Sequence, residues 1–215
     1  YEGGPGGFAL PGQAPPEQLM SRLVATVVAV PLVFDVRTHN VFEFPQGLLL
    51  KLLAAGMVAA VAIDVLRGRP LAWRRTVLDL PIIIFLGVQA AAVLVARKPG
   101  EALDLWLLWA AGAVVYWATV QTADGVFIRR LGHAMLASAA VYGAYGLAQY
   151  LGWDVVRWQM DWSGGRIQSS LGNPDFLAAM LLGVLPVAVA TALDPGEARG
   201  WRRFSGGLAL LLGLD

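Results

Sequence analysis

The sequence predicts an all-α fold, a polytopic transmembrane helix bundle of about six complete spans and a seventh that the chain end cuts short. Three observations predict it. The chain is 57% hydrophobic and 14% charged, with mean hydropathy +0.61. Soluble domains carry about 25% charged residues, and a water-soluble fold of this size needs a polar skin that this composition cannot supply. Apolar runs recur at the length a bilayer requires, about 20 helical residues. Basic residues gather in alternate loops. The formal net charge of +1 gives no reason to expect a nucleic-acid partner, and the absence of cysteine excludes disulfides and thiolate metal sites.

The elements follow in order. Residues 1–18 are rich in Gly and Pro and read as a flexible cytosolic arm. This arm lacks the basic n-region and cleavage site of a signal peptide. Residues 19–34 form a weak first span, with Arg22 near one end and Pro31 near the other. Residues 47–66 form a second, with Lys51 placed to snorkel. Residues 80–96 and 105–122 are runs of span length, both without any charge. Residues 131–153 make the longest run, interrupted by His133, which reads as a polar helix-end residue. Its small residues Ala139, Gly143 and Gly146 suit close helix packing. Residues 176–193 are a sixth span, and an apolar segment from 205 to 215 starts a seventh. The chain opens on Tyr1 and closes within that segment at Asp215, so a longer natural protein is expected.

Loop charge sets the orientation. With the N-terminus in the cytosol, Arg22, Arg67, Arg69, Arg74, Arg75, Arg129, Arg130, Arg199, Arg202 and Arg203 fall inside. Arg37, Lys51, Arg97, Lys98, Arg157 and Arg166 are left outside. Trp73, Trp153, Trp158 and Trp201 lie at or beyond span ends, where amphipathic rings are favoured. No carboxylate sits mid-span, so the midplane ionisable group common in coupled transporters is missing from this stretch.

Residues 166–176, Arg-Ile-Gln-Ser-Ser-Leu-Gly-Asn-Pro-Asp-Phe, carry the local chemistry. Asn173 precedes a proline and is pushed out of the helical region, which suits a helix N-cap. Pro174 suits the first helical position, and Asp175 complements the positive end of the helix dipole. The expected result is a sharp helix start at the outer surface with backbone N–H groups facing outward. Such an end is a ready anion site, and Arg166 could add a guanidinium fork. On the residues alone, a plain helix cap with Arg166 as an interfacial anchor is the better explanation of the stretch.

Residues 166–179 also resemble the O-antigen ligase family, whose superfamily includes O-antigen polymerases and some protein O-oligosaccharyltransferases. The resembling pattern is an Arg, a Ser-containing stretch, Gly172-Asn173-Pro174-Asp175 and the aromatic-Leu-Ala opening at Phe176. Gly146-Leu-Ala-Gln149-Tyr150, Leu185-Pro186, Phe42-Glu43-Phe44-Pro45 and Leu78-Asp79-Leu80-Pro81 are similar to further family segments. Gln46 stands where the family usually has Lys. The resemblance implies transfer of a glycan from a polyprenyl-diphosphate carrier, such as undecaprenyl diphosphate, to an acceptor such as a lipid A core sugar. The reaction lies on the outer face of the bacterial cytoplasmic (inner) membrane, in lipopolysaccharide biosynthesis, and uses no metal, nucleotide sugar or other cofactor. Arg166 is implied to bind the diphosphate, and Asn173 and Asp175 to form the supporting turn. Gln149 is a weaker candidate at the same surface, and Arg97 and Lys98 are basic outer residues without a motif match. The family's catalytic outer loop, with its His and basic residues, is expected beyond Asp215, so the catalytic residues are unknown and this stretch alone is expected to be inactive. A polymerase of the same superfamily and a lipid-linked glycan transporter or flippase are the competing readings.

Overall fold

A computed structural model describes residues 17–37, 40–68, 73–154, 156 and 166–212. It is helical, with no strand among the described residues. Helix α1 is Glu17–Ala29, followed by a 3-10 turn, Val30–Leu32. Then come α2 (Glu43–Leu66), α3 (Asp79–Val95), α4 (Pro99–Thr122) and α5 (Gly125–Tyr150). A second 3-10 turn, Ser169–Leu171, leads into α6 (Pro174–Leu193), and α7 is Arg199–Leu212. Residues 1–16 of the arm expected over 1–18, the positions Arg69, Arg157 and Trp158, and residues 213–215 lie outside the described residues, and the last two arm residues, Glu17 and Gln18, begin α1 instead.

Most helices begin earlier than their apolar runs, because polar residues build the first turn. Asn40 and Glu43 bond reciprocally, Glu43 N–H to Asn40 Oδ1 (3.0 Å) and Asn40 Nδ2 to Glu43 Oε2 (2.8 Å), and so draw α2 back from the expected start at 47. Pro99 and Glu101 start α4 ahead of Leu105. Asp124 Oδ1 accepts from Phe127 N–H (2.6 Å) and starts α5 ahead of Leu131. Pro31 has no N–H for the helical ladder, and α1 tightens there into its 3-10 turn.

Three helices, α2, α4 and α6, are long and apolar enough to cross a membrane. Helix α3 is apolar but shorter, and residues 19–32 form a further short apolar helix. Of the about six complete spans expected, the described residues show these three at full length and apolarity. Helix α5 has the length, but Gly, Ser, Tyr and His133 dilute its apolar content. The structure nonetheless presents apolar surface outward: α3 contains no buried residue, while Leu80, Ile83, Val88 and Leu94 are exposed along it. Water would penalise such a helix and lipid would not.

The chain divides into two compact units, with boundaries inside α1, α2 and α5. One comprises Leu50–Ile128 with the residues up to Leu23. There Trp117 Nε1 donates to Asp79 Oδ1 (3.0 Å), Thr76 Oγ1 meets Tyr116 OH (2.7 Å), and Trp106 Nε1 donates to Leu86 O (3.0 Å), tying α3 to α4. Asp79 stands ahead of the apolar run from Leu80. The Thr76 backbone N–H, then its hydroxyl, holds the carboxyl below the usual carboxylate range. Lys51, expected to snorkel, pairs instead with Asp104.

The other unit, Val24–Leu49 with Arg129–Asp215, holds a core of Leu136, Ala139, Tyr142, Leu171, Leu177, Val184 and Ala188. Of the small residues expected to pack, Ala139 is fully buried, and a methyl at Gly146 would come within 3.0 Å of Ile167. Gly143 corrects the expectation, since nothing lies within 4 Å of a methyl placed there. Gly143→Ala should therefore gain up to about 1 kcal/mol of helix propensity. Gly146→Ala should gain less or lose, and thermal unfolding of the two variants in detergent checks that order.

Candidate functional site

The site is built on the segment entering α6. Gln168, Ser169 and Ser170 are buried, although they are polar and precede a helix at its surface end. Burial of polar groups requires partners, and both serines have them. Ser169 N–H donates to Gln149 Oε1 (2.7 Å), and its hydroxyl donates to the Tyr142 carbonyl. Ser170 Oγ donates to Pro31 O (2.7 Å), and Gln46 Nε2 donates to Ser170 O (2.9 Å). Two adjacent serines thus join α5, the 3-10 turn after α1 and the first turn of α2. Ser169 accepts a φ of 52°, uncommon outside glycine, to make these bonds.

Gly172 follows with φ 73°, and the ring of Phe42 occupies the space where a Cβ would sit. Phe42 in turn lies 5.8 Å from Phe34, which stacks on Tyr145 at 6.3 Å and 6°. Asn173 is extended (φ −146°, ψ 128°) and its Oδ1 accepts from Asp175 N–H (2.8 Å), the cap expected from the Asn-Pro pair.

The structure brings Arg166, Asn173 and Asp175 together. Arg166 donates through one terminal nitrogen to Asp175 Oδ1 (2.7 Å), and both side chains are more than half exposed. Exposed pairs of this kind contribute about 0.2–1 kcal/mol. The guanidinium has five donors, so an anion would find most of them unspent at little cost in lost pairing. The helix end itself is a poorer anion site than expected. Pro174 has no N–H, that of Asp175 is spent on Asn173 Oδ1, and that of Leu177 on Asn173 O.

Gln149 is a fastener in this arrangement. Its Oε1 holds Ser169 and its Nε2 donates to Asp154 Oδ2 (3.1 Å), while Tyr145 OH donates to Asp154 Oδ1 (2.9 Å). Arg97 lies in the other unit, exposed between α3 and α4, and Lys98 pairs there with Glu101 (2.8 Å). No group of three or more His, Cys, Asp or Glu that could hold a metal occurs among the described residues.

The serine pair and Asp154 were missed in the sequence reading. The serines bond to partners up to 139 positions away, which no local pattern encodes, whereas Asp154 bonds to Tyr145 and Gln149 within nine positions. His133, read there as a polar helix end, stacks on Trp201 (3.9 Å, 3°). Its Nε2 lies 3.1 Å from Glu197 Oε2 without forming a hydrogen bond. Arg129 approaches the same carboxylate at 3.8 Å and donates to Gly196 O.

Compared with protein-family models, curated proteins and solved structures, the chain matches none.

Gly172→Ala should cost about 2–5 kcal/mol, combining the left-handed backbone with overpacking against Phe42. Pairing it with Phe42→Ala should return the overpacking share alone. A double-mutant cycle of unfolding free energies would show this as coupling between the two positions.

Proposed function

We propose that this chain is part of a membrane glycan transferase that accepts a polyprenyl-diphosphate-linked glycan at the outer face of a bacterial cytoplasmic membrane. The observation that carries the reading is Arg166. It is an exposed guanidinium, lightly held by Asp175, at the head of an apolar helix of spanning length. A diphosphate at the membrane surface carries more charge than the carboxylate it would displace and suits the planar donor fork.

In this proposal α1, α3 and α5 also lie in the bilayer, giving about six spans with the N-terminus in the cytosol. The described residues bind the carrier, and none is assigned as catalytic base. Asn173 and the serine pair act as positioning residues. Gln149 shares that role, which revises its assignment as a diphosphate contact. The acceptor is a lipid A core sugar or a similar glycolipid. The absence of a mid-span carboxylate disfavours a coupled transporter.

The test replaces Arg166 in the natural protein. Arg166→Ala should abolish surface glycan attachment while the protein stays in the membrane through a carbonate wash, and Arg166→Lys should restore only part of it. Undiminished attachment in Arg166→Ala would remove Arg166 from the site. Release of the wild-type chain by carbonate alone would defeat the membrane reading itself.

A further inference from the structure

The junction of α6 and α7 departs from a pattern that α2, α3, α4 and α6 follow. A helix N-terminus favours acidic residues, as Glu43, Asp79, Glu101 and Asp175 illustrate in α2, α3, α4 and α6. The first turn of α7 has no acid and begins with Arg199, followed by Arg202 and Arg203. The three arginines recur at helical spacing, so they share one stripe. The opposite stripe carries Trp201, Leu208 and Leu212, which pack on the core of the same unit. Of the seven α-helices among the described residues, α7 is the most one-sided in polarity.

Nearby acids do not neutralise the stripe. Glu197 is turned inward, with a side chain 6% exposed, toward His133 and Arg129. Asp194 accepts from Gly196 N–H and caps the turn. Arg202 spends one donor, Nε, on the Ala192 carbonyl (3.3 Å) at the end of α6. Arg199 and Arg203 are exposed and form no ion pair among the described residues. With Ala192, the three arginines line a recess of about 350 Å³. A second recess of about 270 Å³, lined by Gly200, Trp201 and Phe204, opens on the same two turns.

Depth identifies the occupant. Helix α6 has 20 residues, about 30 Å of helix, and so reaches from one face of the hydrocarbon layer to the other. Ala192 is its penultimate residue, which sets the arginine recess at the level of lipid phosphates. An aromatic recess beside it suits the ester region, where Trp is favoured.

We propose that the α6–α7 junction is a binding site for the phosphate of an anionic phospholipid, held by Arg199, Arg202 and Arg203. The site rests on the membrane reading of α6 and is independent of glycan transfer. In the orientation proposed above it faces the cytosolic leaflet. Bound phosphate relieves the mutual repulsion of the guanidiniums and supplies the negative charge that the start of α7 lacks.

The test titrates the delipidated protein in neutral detergent with dihexanoyl phosphatidylglycerol, dihexanoyl phosphatidylcholine and inorganic phosphate. The comparison variants are Arg199→Gln/Arg202→Gln/Arg203→Gln, Arg203→Gln alone, and a charge-matched control, Arg67→Gln/Arg75→Gln/Arg130→Gln. Wild type and control should prefer the anionic lipid by at least about tenfold, as expected for several arginines at a phosphate. The junction triple variant should lose that preference, and Arg203→Gln should fall between. Retention of the preference in the triple variant, or equal loss in the control, would overturn the site. Binding of inorganic phosphate as tightly as the lipid would overturn the lipid as its occupant.

Discussion

A buried pair of serines holds the second unit together. Ser169 and Ser170 sit just ahead of α6, and both are almost inaccessible. A polar backbone taken into an apolar bundle must find every partner inside the protein, since lipid offers none. The bonds to Tyr142, Pro31, Gln149 and Gln46 meet that demand. The left-handed turn at Gly172, the Phe42 packing and the Asn173 cap follow from where this pair is pinned. So does the position of Arg166, three residues upstream of Ser169.

This placement separates two roles that a short polar motif tends to merge. The buried bonds belong to the framework, and losing one leaves an orphaned group at a cost of about 1–3 kcal/mol. The exposed Arg166–Asp175 pair contributes little to the framework. A rigid support carrying a weakly engaged guanidinium is the arrangement expected of a residue that must exchange one anion for another. Gln149 moves to the framework side of that division, because both ends of its amide are occupied inside the protein.

Legibility in the sequence followed the range of the interactions. The Asn173 cap was readable because Asn-Pro restricts the backbone within two residues. Helices α2, α3, α4 and α6 were readable from continuous apolar runs, and their starts were misplaced where polar or proline-led first turns precede those runs, as at Asn40 before α2 and Pro99 in α4. Helix α5 has the length of a span but a less apolar composition, since Gly, Ser, Tyr and His133 interrupt its run. The segment after 205 was read as an incipient span, whereas α7 begins at Arg199 as a one-sided helix with a basic stripe. The serine bonds were invisible, because no periodicity marks a hydroxyl that reaches a carbonyl on a distant helix.

Amide hydrogen exchange across residues 166–177, followed by mass spectrometry in detergent, tests the serine framework most directly. The account predicts that the Ser169 amide exchanges as slowly as those inside α6, and that Gln149→Ala releases it while the interior of α6 stays protected. Rapid exchange at Ser169 in the unaltered protein would contradict the account, and so would protection that survives loss of the Gln149 amide.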